Sequence, residues 1–439
     1  MYKDIYTTLE PIMWVWRFVG AYPFVIRGPI GSQQYVLSTY SIMLSLIFLI
    51  VTVQYCYKSV DFINQSATEY SLFLITISVQ QVSNVICFFD SVVLKLFFGK
   101  KITRSIENIA IQDKKLSKIG CSLNYSQAVR KGRLYIFILF VFLCFHIHSE
   151  LVYFNGLSIG CTFNSGAPLL LRIFGNYLAM LQVANVILFA WLMFHVGLRF
   201  QVINCKIKTC IFDIEMADQN SSCLLVLRTT AKAHAQLCQA AKIINGMFVL
   251  SIVMQICTEN QCVYINCVLS AFIFITTMLY YIFMELKNTL PFSHAVYYCS
   301  VILIHATTIV IIVQSCNWVH RNVRHRMTFD VLTNFLTMHL LFKAHATVKV
   351  LHEFSKENNR FDDDRHLNQI VRIGPNFLEY LKRVFHLFQI HNFSMQILHH
   401  NLTFSAWGLF PIDSTLLQSL AEAVTTYLVI LIQFDPLVT

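Results

Sequence analysis

Charged side chains are scarce in this sequence. Asp, Glu, Lys and Arg make up 13% of the 439 residues, whereas soluble domains carry roughly a quarter. Helix breakers are also few, with 8 Pro and 14 Gly, while hydrophobic residues reach 56%. These proportions exclude a water-soluble globular domain, and the long apolar runs indicate an all-α polytopic membrane protein.

Other absences narrow the range of functions. The N-terminal stretch MYKDIYTTLEPIMWVWRFVG has acids and aromatics where a secretory signal has a short apolar core. The 14 Cys form no CxxC pair and lie mostly in apolar runs, which favours reduced packing residues. His146 and His148 stand two positions apart and do not share a helix face, so they do not predict a metal site. Since the chain has no nucleophile elbow, P-loop or zinc pattern, we predict no enzyme, catalytic residue, cofactor or metal.

Seven apolar windows predict membrane spans, each of which needs about 20 residues. The windows are 28–57, 70–89, 134–149, 173–198, 243–284, 288–320 and 414–434.

The loops between these windows predict the orientation of the chain. Residues 99–133 carry nine Lys and Arg against two acids, and residues 199–242 carry six against three. Basic loops stay in the cytoplasm, so the net charge of +10 reflects membrane orientation and not nucleic-acid binding. This orientation requires residues 243–284 to cross once. It places the N-terminus inside, the C-terminus outside and the Asn64 sequon in an outer loop as a glycosylation site.

The predicted organisation has four regions. Residues 321–410 are too polar to span a membrane and contain helical patterns on both sides of the charged stretch KENNRFDDDRH, which indicates a cytoplasmic helical layer. The four regions are a cytoplasmic segment at 1–34, transmembrane helices 1–6 with basic cytoplasmic loops at 35–320, a cytoplasmic helical anchor region at 321–410, and a seventh transmembrane helix with a short outer tail at 411–439.

The last apolar window carries a polar stripe. Asp413 is placed to cap this helix, and the polar residues after it share one face: Gln418, Glu422, Thr425, Thr426 and Gln433. A span does not expose such a stripe to lipid, so the stripe faces protein or water. Two arrangements satisfy this condition. The stripe packs against other helices of its own chain, or several copies of the helix surround a water path.

The end of the chain resembles a known family. TYLVILIQF, residues 426–434, is similar to the TYhhhhhQF signature of insect gustatory receptors. The preceding FSAWGLFPIDSTLLQSL and the N-terminal VGAYPF also resemble segments of that family. The strong resemblance covers roughly the last forty residues, and the seven spans with an inside N-terminus are consistent with it along the whole chain.

The resemblance implies a tetrameric, ligand-gated, nonselective cation channel. It would be opened by a small-molecule tastant in the plasma membrane of chemosensory neurons, as a homo- or hetero-tetramer of gustatory receptor subunits surrounded by membrane lipid. The last helix of each subunit would line the pore, with Gln433 and Phe434 as the outer gate and Ile430 one turn earlier. Gln418, Glu422 and Thr426 would follow the pore towards the cytoplasm, and Thr426 with Tyr427 would fix helix packing and register.

The chain departs from the family pattern at three places. Glu422 stands where the family has a small residue, and residues 259–274 and 327–342 lengthen the regions around the fifth and sixth spans. The two longer segments are either insertions or intron sequence retained in the gene model, and both alternatives leave the predicted gate unchanged.

Polar and aromatic side chains also recur in the predicted outer halves of the spans. Such groups at one membrane depth suit a small-molecule pocket, although interhelical hydrogen bonds and an interfacial aromatic belt produce the same pattern. The candidate ligand-binding residues are Gln80, Gln81, His146, His148, Arg172, Asn176, Tyr177, Tyr281, Tyr298 and His305.

Two other functions remain open from the residues alone. A small-molecule transporter would need internal repeats and broken helices near the midplane, and neither is visible. A seven-helix receptor coupled to other signalling proteins would have an outside N-terminus and an NPxxY motif in its last span, which this chain lacks.

Overall fold

The computed structural model describes ten stretches of the chain. They are residues 4–18, 24–27, 34–66, 95–157, 167–216, 221–249, 263–286, 292–323, 402–406 and 410–433. The whole of the predicted second span, 70–89, and most of the predicted anchor region, 321–410, lie outside these residues.

The described elements are nine helices and two short β-hairpins. The helices are α1 (Ile5–Phe18), α2 (Thr39–Ser66), α3 (Lys95–Lys118), α4 (Tyr125–Leu157), α5 (Ala167–Met216), α6 (Ser221–Val249), α7 (Val263–Leu286), α8 (Phe292–Val323) and α9 (Ser414–Gln433). The antiparallel hairpins pair β1 (Phe24–Arg27) with β2 (Gln34–Leu37), and β3 (Ser405–Ala406) with β4 (Phe410–Pro411).

Helix α5 is the axis of the bundle. It has 50 residues and continues well past the end of the predicted fourth span at Leu198. It packs against α8, α6, α4 and α2, and many side chains of its inner half, such as Leu192, Val196 and Phe200, are fully buried. Three described helices contain stretches long and apolar enough to cross a membrane: Val183–Cys210, Phe292–Val323 and Ser414–Gln433.

The predicted basic loops are largely helical. Residues 99–133 form most of α3 and the first turns of α4, and the chain reverses between them at Gly120. Gly120 has a φ of 77°, a left-handed conformation that a side chain disfavours. Residues 199–242 similarly form the end of α5 and most of α6. Helix α6 packs against both α3 and α5, so the basic segments belong largely to packed helices.

The predicted fifth window, 243–284, contains the end of α6 and most of α7. Helix α6 ends at Val249 and α7 begins at Val263. The longer segment 259–274 therefore includes the start of α7, whereas 327–342 lies outside the described residues.

The N-terminal segment, predicted only to be cytoplasmic, forms a buried helix. Helix α1 packs mainly against α4 and also touches α3. Its buried face contains Ile5, Leu9, Met13 and Trp16 at the spacing of an amphipathic helix. The indole N–H of Trp16 donates to the carbonyl of Ala184 in α5 at 2.9 Å, so α1 is joined to the axis of the bundle.

Two glycines permit close helix packing. A Cβ on Gly132 in α4 would collide with the ring of Trp191 in α5, and a Cβ on Gly197 in α5 would lie 2.5 Å from the ring of Trp318 in α8. Each indole therefore occupies the space above a glycine, which is how small residues bring membrane helices together.

Candidate pore helix and ligand pocket

The inner end of α9 is fixed to the helical bundle. The segment before it bonds to α8 and α6, where His320 Nδ1 lies 3.2 Å from the Leu402 carbonyl oxygen and Asn245 Nδ2 donates to the Ser405 carbonyl at 3.5 Å. The backbone N–H of Ile412 donates to the Phe404 carbonyl at 2.9 Å. These contacts set the direction in which α9 leaves the bundle.

Asp413 caps α9, as the sequence predicts. Its carboxylate accepts a hydrogen bond from the backbone N–H of Thr415 at 2.8 Å, which satisfies a donor that the first helical turn cannot pair. The hydrogen bond from the Thr415 hydroxyl is the largest cause that lowers the pKa of Asp413, burial opposes it, and the backbone hydrogen bonds from Thr415 and Leu416 lower the pKa further. The negative charge also lies at the positive end of the helix dipole.

The two sides of α9 have different surroundings. One side packs against α7 and α8. Its partly or fully buried residues recur about every three to four positions: Leu416, Leu417, Leu420, Ala423, Val424, Leu428, Leu431 and Ile432. At about 3.6 residues per turn, the polar stripe lies on the opposite side of the helix. All five of its members, Gln418, Glu422, Thr425, Thr426 and Gln433, are exposed. Within the described residues, the stripe does not pack against helices of its own chain.

Hydrogen bonds along the stripe reduce its polarity without removing it. The hydroxyls of Thr425 and Thr426 donate to the carbonyls of Ala421 and Glu422 at 2.8 and 2.9 Å. Gln418 Nε2 donates to the Glu422 carboxylate at 2.9 Å. The exposed surface thus combines threonine methyl groups with one oriented carboxylate.

The outer end of α9 contains the residues predicted for the gate. Gln433 is exposed and Ile430 is 40% exposed, on the surface that the bundle leaves uncovered. Tyr427 is also exposed, and its ring meets the edge of Phe272 in α7 at 5.2 Å between ring centroids. That contact supports a packing role for Tyr427. Phe434 lies outside the described residues.

One predicted pocket residue, His146 of α4, contacts α8. His146 Nδ1 lies 3.1 Å from the Ser300 hydroxyl, and Ser149 and Ser300 are hydrogen-bonded at 2.9 Å. The His146 ring stacks on Tyr297 with centroids 6.2 Å apart. Polar contacts between helices therefore already engage part of the predicted pocket.

Aromatic contacts join α7 and α8 in the same region. His305 stacks on Phe274 with ring centroids 4.7 Å apart and planes 3° from parallel. Tyr281 stacks on Tyr298 at 5.9 Å, and the Tyr298 hydroxyl donates to Glu285 at 2.8 Å. Glu285 is absent from the predicted set.

The remaining predicted residues are dispersed or not described. Tyr177 of α5 stacks on Phe48 of α2 at 4.5 Å, and His148 is exposed. Arg172, Asn176 and Asn64 lie in helices, but their side chains are outside the described set. Gln80 and Gln81 lie outside the described residues entirely.

A comparison with protein families decides what kind of molecule this is. The family model described as 7tm chemosensory receptor matches residues 9–362 and 381–437, which is nearly the whole chain. The chain belongs to the 7tm chemosensory receptor family. It is therefore a multi-pass membrane protein of a family of receptors, not of enzymes.

Two curated relatives of this chemosensory receptor are gustatory. Putative gustatory receptor 2a of Drosophila melanogaster is 59% identical over 46 residues, and putative gustatory receptor 28b of the same species is 50% identical over 46 residues. Each match covers 10% of this chain and 11% or 10% of the relative, so the similarity spans about a tenth of either protein.

The receptor also shares its fold with solved structures of an insect olfactory receptor. Structures of OR5 from Machilis hrabei, one of them in complex with eugenol, align with a TM-score of 0.60 at 11% identity. The alignment covers 98% of this chain and 99% of OR5. The seven-helix fold predicted from the sequence is thereby confirmed.

The receptor contains a buried ionic cluster that the sequence analysis missed. Arg199 of α5, which is fully buried, donates from Nε and Nη2 to the two carboxylate oxygens of Asp113 in α3 at 2.9 and 2.6 Å. The Tyr125 hydroxyl at the start of α4 donates to the same carboxylate at 2.7 Å, and Arg199 Nη1 donates to the His195 carbonyl at 2.6 Å.

This ionic cluster joins three helices. Burial and, next, the charge of Asp113 raise the pKa of Tyr125, so its hydroxyl stays protonated and remains a donor. In the sequence, Asp113 and Arg199 are two charges among many in basic segments, 86 positions apart. One local feature does suggest that Arg199 is buried. It directly follows the apolar window 173–198, and the helix continues beyond it to Met216.

Proposed function

We propose that this chain is a gustatory receptor that acts as a tetrameric, ligand-gated, nonselective cation channel of the plasma membrane. A small-molecule tastant opens it in chemosensory neurons, and its N-terminus lies in the cytoplasm. The observation that carries the proposal is the exposed polar stripe of α9, on the side opposite the bundle.

The cost of exposing this stripe to lipid supports an oligomer. A carboxylate and two amides facing hydrocarbon would each be unfavourable by a few kcal/mol. One helix cannot enclose water, but copies of α9 around a symmetry axis form a hydrated path. Family membership and the two gustatory relatives favour a chemosensory channel over a transporter.

The stripe also accounts for cation preference. Four copies of Glu422 would form a carboxylate ring near the inner part of the pore, and the bond from Gln418 orients each carboxylate. Glu422→Gln should lower the permeability of cations relative to anions. If the reversal potentials of Glu422→Gln under ion substitution equal those of the wild type, Glu422 does not set the ion selectivity.

Gln433 and Phe434 form the outer gate in this proposal. Neighbouring positions on a helix point about 100° apart, so a modest rotation of α9 exchanges an apolar ring for a hydrated amide at the constriction. A ring of apolar side chains closes a narrow pore by excluding water from it.

Patch recording of two variants tests the gate. Phe434→Ala should raise the current without ligand or change the single-channel conductance, and Gln433→Ala should change conductance or ion preference more than ligand affinity. Surface expression is measured for each variant as the control. Wild-type basal current, conductance and selectivity in both variants would place the pore elsewhere.

The ligand site in this proposal lies between the outer halves of α4, α5, α7 and α8. The contacts around His146 and Tyr298 support it. Single alanine substitutions of His146, Arg172 and Tyr298 should shift the dose response of an active ligand while leaving surface expression intact. Unchanged responses in all three would remove this site.

A further inference from the structure

The α7–α8 hairpin carries a carboxylate surrounded by tyrosines. Glu285 at the end of α7 is partly exposed, with 27% of its side-chain surface accessible. We call Glu285, its partner His294 and the tyrosines Tyr280, Tyr281, Tyr297 and Tyr298 the Glu285 cluster. Apart from Tyr298, which is buried, its tyrosines are half-buried.

Among the described residues, Glu285 forms an ion pair with His294 and with no Lys or Arg. Its contacts there are His294 Nδ1, at 3.0 and 3.1 Å from the two carboxylate oxygens, and the Tyr298 hydroxyl at 2.8 Å. A carboxylate only accepts hydrogen bonds, so His294 donates to Glu285 from Nδ1.

The aromatic rings lie close to one another around this charge. Tyr298 has Tyr281 and Tyr297 at centroid distances of 5.9 and 5.8 Å, and Tyr280 lies 5.9 Å from Tyr281. The edge of His294 meets Tyr298 at 6.2 Å. The planes differ by 21° to 58° among the tyrosine pairs, so their faces point in several directions.

A carboxylate among tyrosine faces has the chemistry of an ammonium site. The negative faces of aromatic rings attract organic cations, and quaternary ammonium groups are recognised by aromatic cages. The carboxylate adds charge attraction that is stronger at a partly buried position than in water.

We propose that the Glu285 cluster binds an organic ammonium group. The group comes from a protonated or quaternary amine ligand, or from the choline headgroup of an outer-leaflet lipid. This inference deepens the proposed ligand recognition and rests on it for any effect on gating. Sugars lack the positive charge that this site selects.

Equilibrium binding to the purified full-length receptor tests the inference without recording current. The probe is radiolabelled phenyltrimethylammonium, and the competitor is its uncharged carbon isostere, tert-butylbenzene. The receptor is placed in nanodiscs of phosphatidylglycerol, which has no amine, and separately in nanodiscs of phosphatidylcholine.

Wild-type receptor should bind the probe saturably, and tert-butylbenzene should fail to displace it. Glu285→Gln and Tyr281→Leu should each weaken binding by about tenfold, since one cation–π or charge contact in a partly desolvated site is worth roughly that factor. Tyr281→Phe keeps the aromatic face and should stay close to wild type. Glu10→Gln removes an exposed carboxylate of α1 and is the charge-matched control.

The two lipids separate the two sources of the ammonium group. If the wild type binds the probe more weakly in phosphatidylcholine than in phosphatidylglycerol, and Glu285→Gln shows no such difference, the lipid headgroup occupies the site. Equal binding in both lipids identifies a free amine. Wild-type affinity in Glu285→Gln, or equal competition by tert-butylbenzene, would overturn the proposal and leave the tyrosines as an interfacial aromatic belt. A failure of the channel proposal would not alter this binding result.

Discussion

Helices α5 and α9 are both apolar enough to cross a membrane, yet their surroundings differ. In the most apolar part of Val183–Cys210 on α5, 72% of residues are buried, compared with 6% in Ser414–Gln433. The inner half of α5 is covered by α4, α6 and α8, whereas α9 packs on one side only. Hydropathy therefore identifies both as spans but does not distinguish a helix in the bundle core from a helix that packs on one side only.

The two regions also use polar groups differently. Arg199 and Asp113 form an ion pair inside the bundle, so each charge has an opposite charge beside it. Gln418 and Glu422 form a hydrogen bond along α9, and both side chains remain exposed. Substitutions around α5 should therefore alter folding, and substitutions on the exposed side of α9 should alter conduction.

The largest expected effect is the loss of the buried ion pair. Asp113→Asn leaves the Arg199 charge inside the bundle without compensation, which should lower the free energy of unfolding by about 3–5 kcal/mol. Denaturant unfolding in detergent measures the change. The control is Arg321→Gln, at an exposed basic position of α8, and equal stability of the two variants would contradict the buried role.

A smaller loss is expected where α5 meets α8. Gly197→Ala would place a methyl group 2.5 Å from the Trp318 indole, and overpacking of this kind costs roughly 1–3 kcal/mol. Gly246→Ala in α6 is the matched control because, among the described residues outside its own stretch of helix backbone, nothing lies within 4 Å of its new Cβ. Thermal unfolding should show a lower midpoint temperature for Gly197→Ala than for the wild type, and no decrease for Gly246→Ala. The same loss in both would indicate that helix packing at Gly197 is not tight.

The smallest effect is expected at the start of α9. Asp413→Ala removes the cap on Thr415 and should cost about 1 kcal/mol. Because the folded-state pKa of Asp413 is lowered, its contribution is present above the unfolded pKa and is lost as the pH falls through the folded value. Stability measured at pH 7 and again in acid should therefore differ between wild type and Asp413→Ala only at pH 7. A difference that persists in acid would point to another cause.

Local patterns predicted α9 well. The cap at Asp413 and the shared face of Gln418 and Glu422 depend on residues a few positions apart, so the sequence contains the whole signal. The surface on which the stripe lies follows from the same periodicity, because the leucines that pack on the bundle occupy the other side.

Long-range features were not predictable in the same way. The Arg199–Asp113 pair and the contact of Trp16 with Ala184 join positions 86 and 168 apart. Nothing in a single sequence marks which charges or indoles will meet. The apolar spacing of Ile5, Leu9 and Met13 does signal a buried helical face in α1, whereas the loop charges predicted only that this segment is cytoplasmic.

Cysteine accessibility along α9 tests the central claim most directly. Gln418→Cys, Glu422→Cys and Gln433→Cys lie on the exposed stripe, and Leu417→Cys, Leu420→Cys and Val424→Cys lie on the side that packs on the bundle. Each variant is recorded during ligand-evoked current before and after a charged, water-soluble methanethiosulfonate reagent. The wild type serves as the control for the native cysteines. If α9 lines the pore, the reagent changes the current at the three stripe positions and leaves the three packed positions at the wild-type response. Modification confined to the packed positions, or no change at any stripe position in an open channel, would contradict the account.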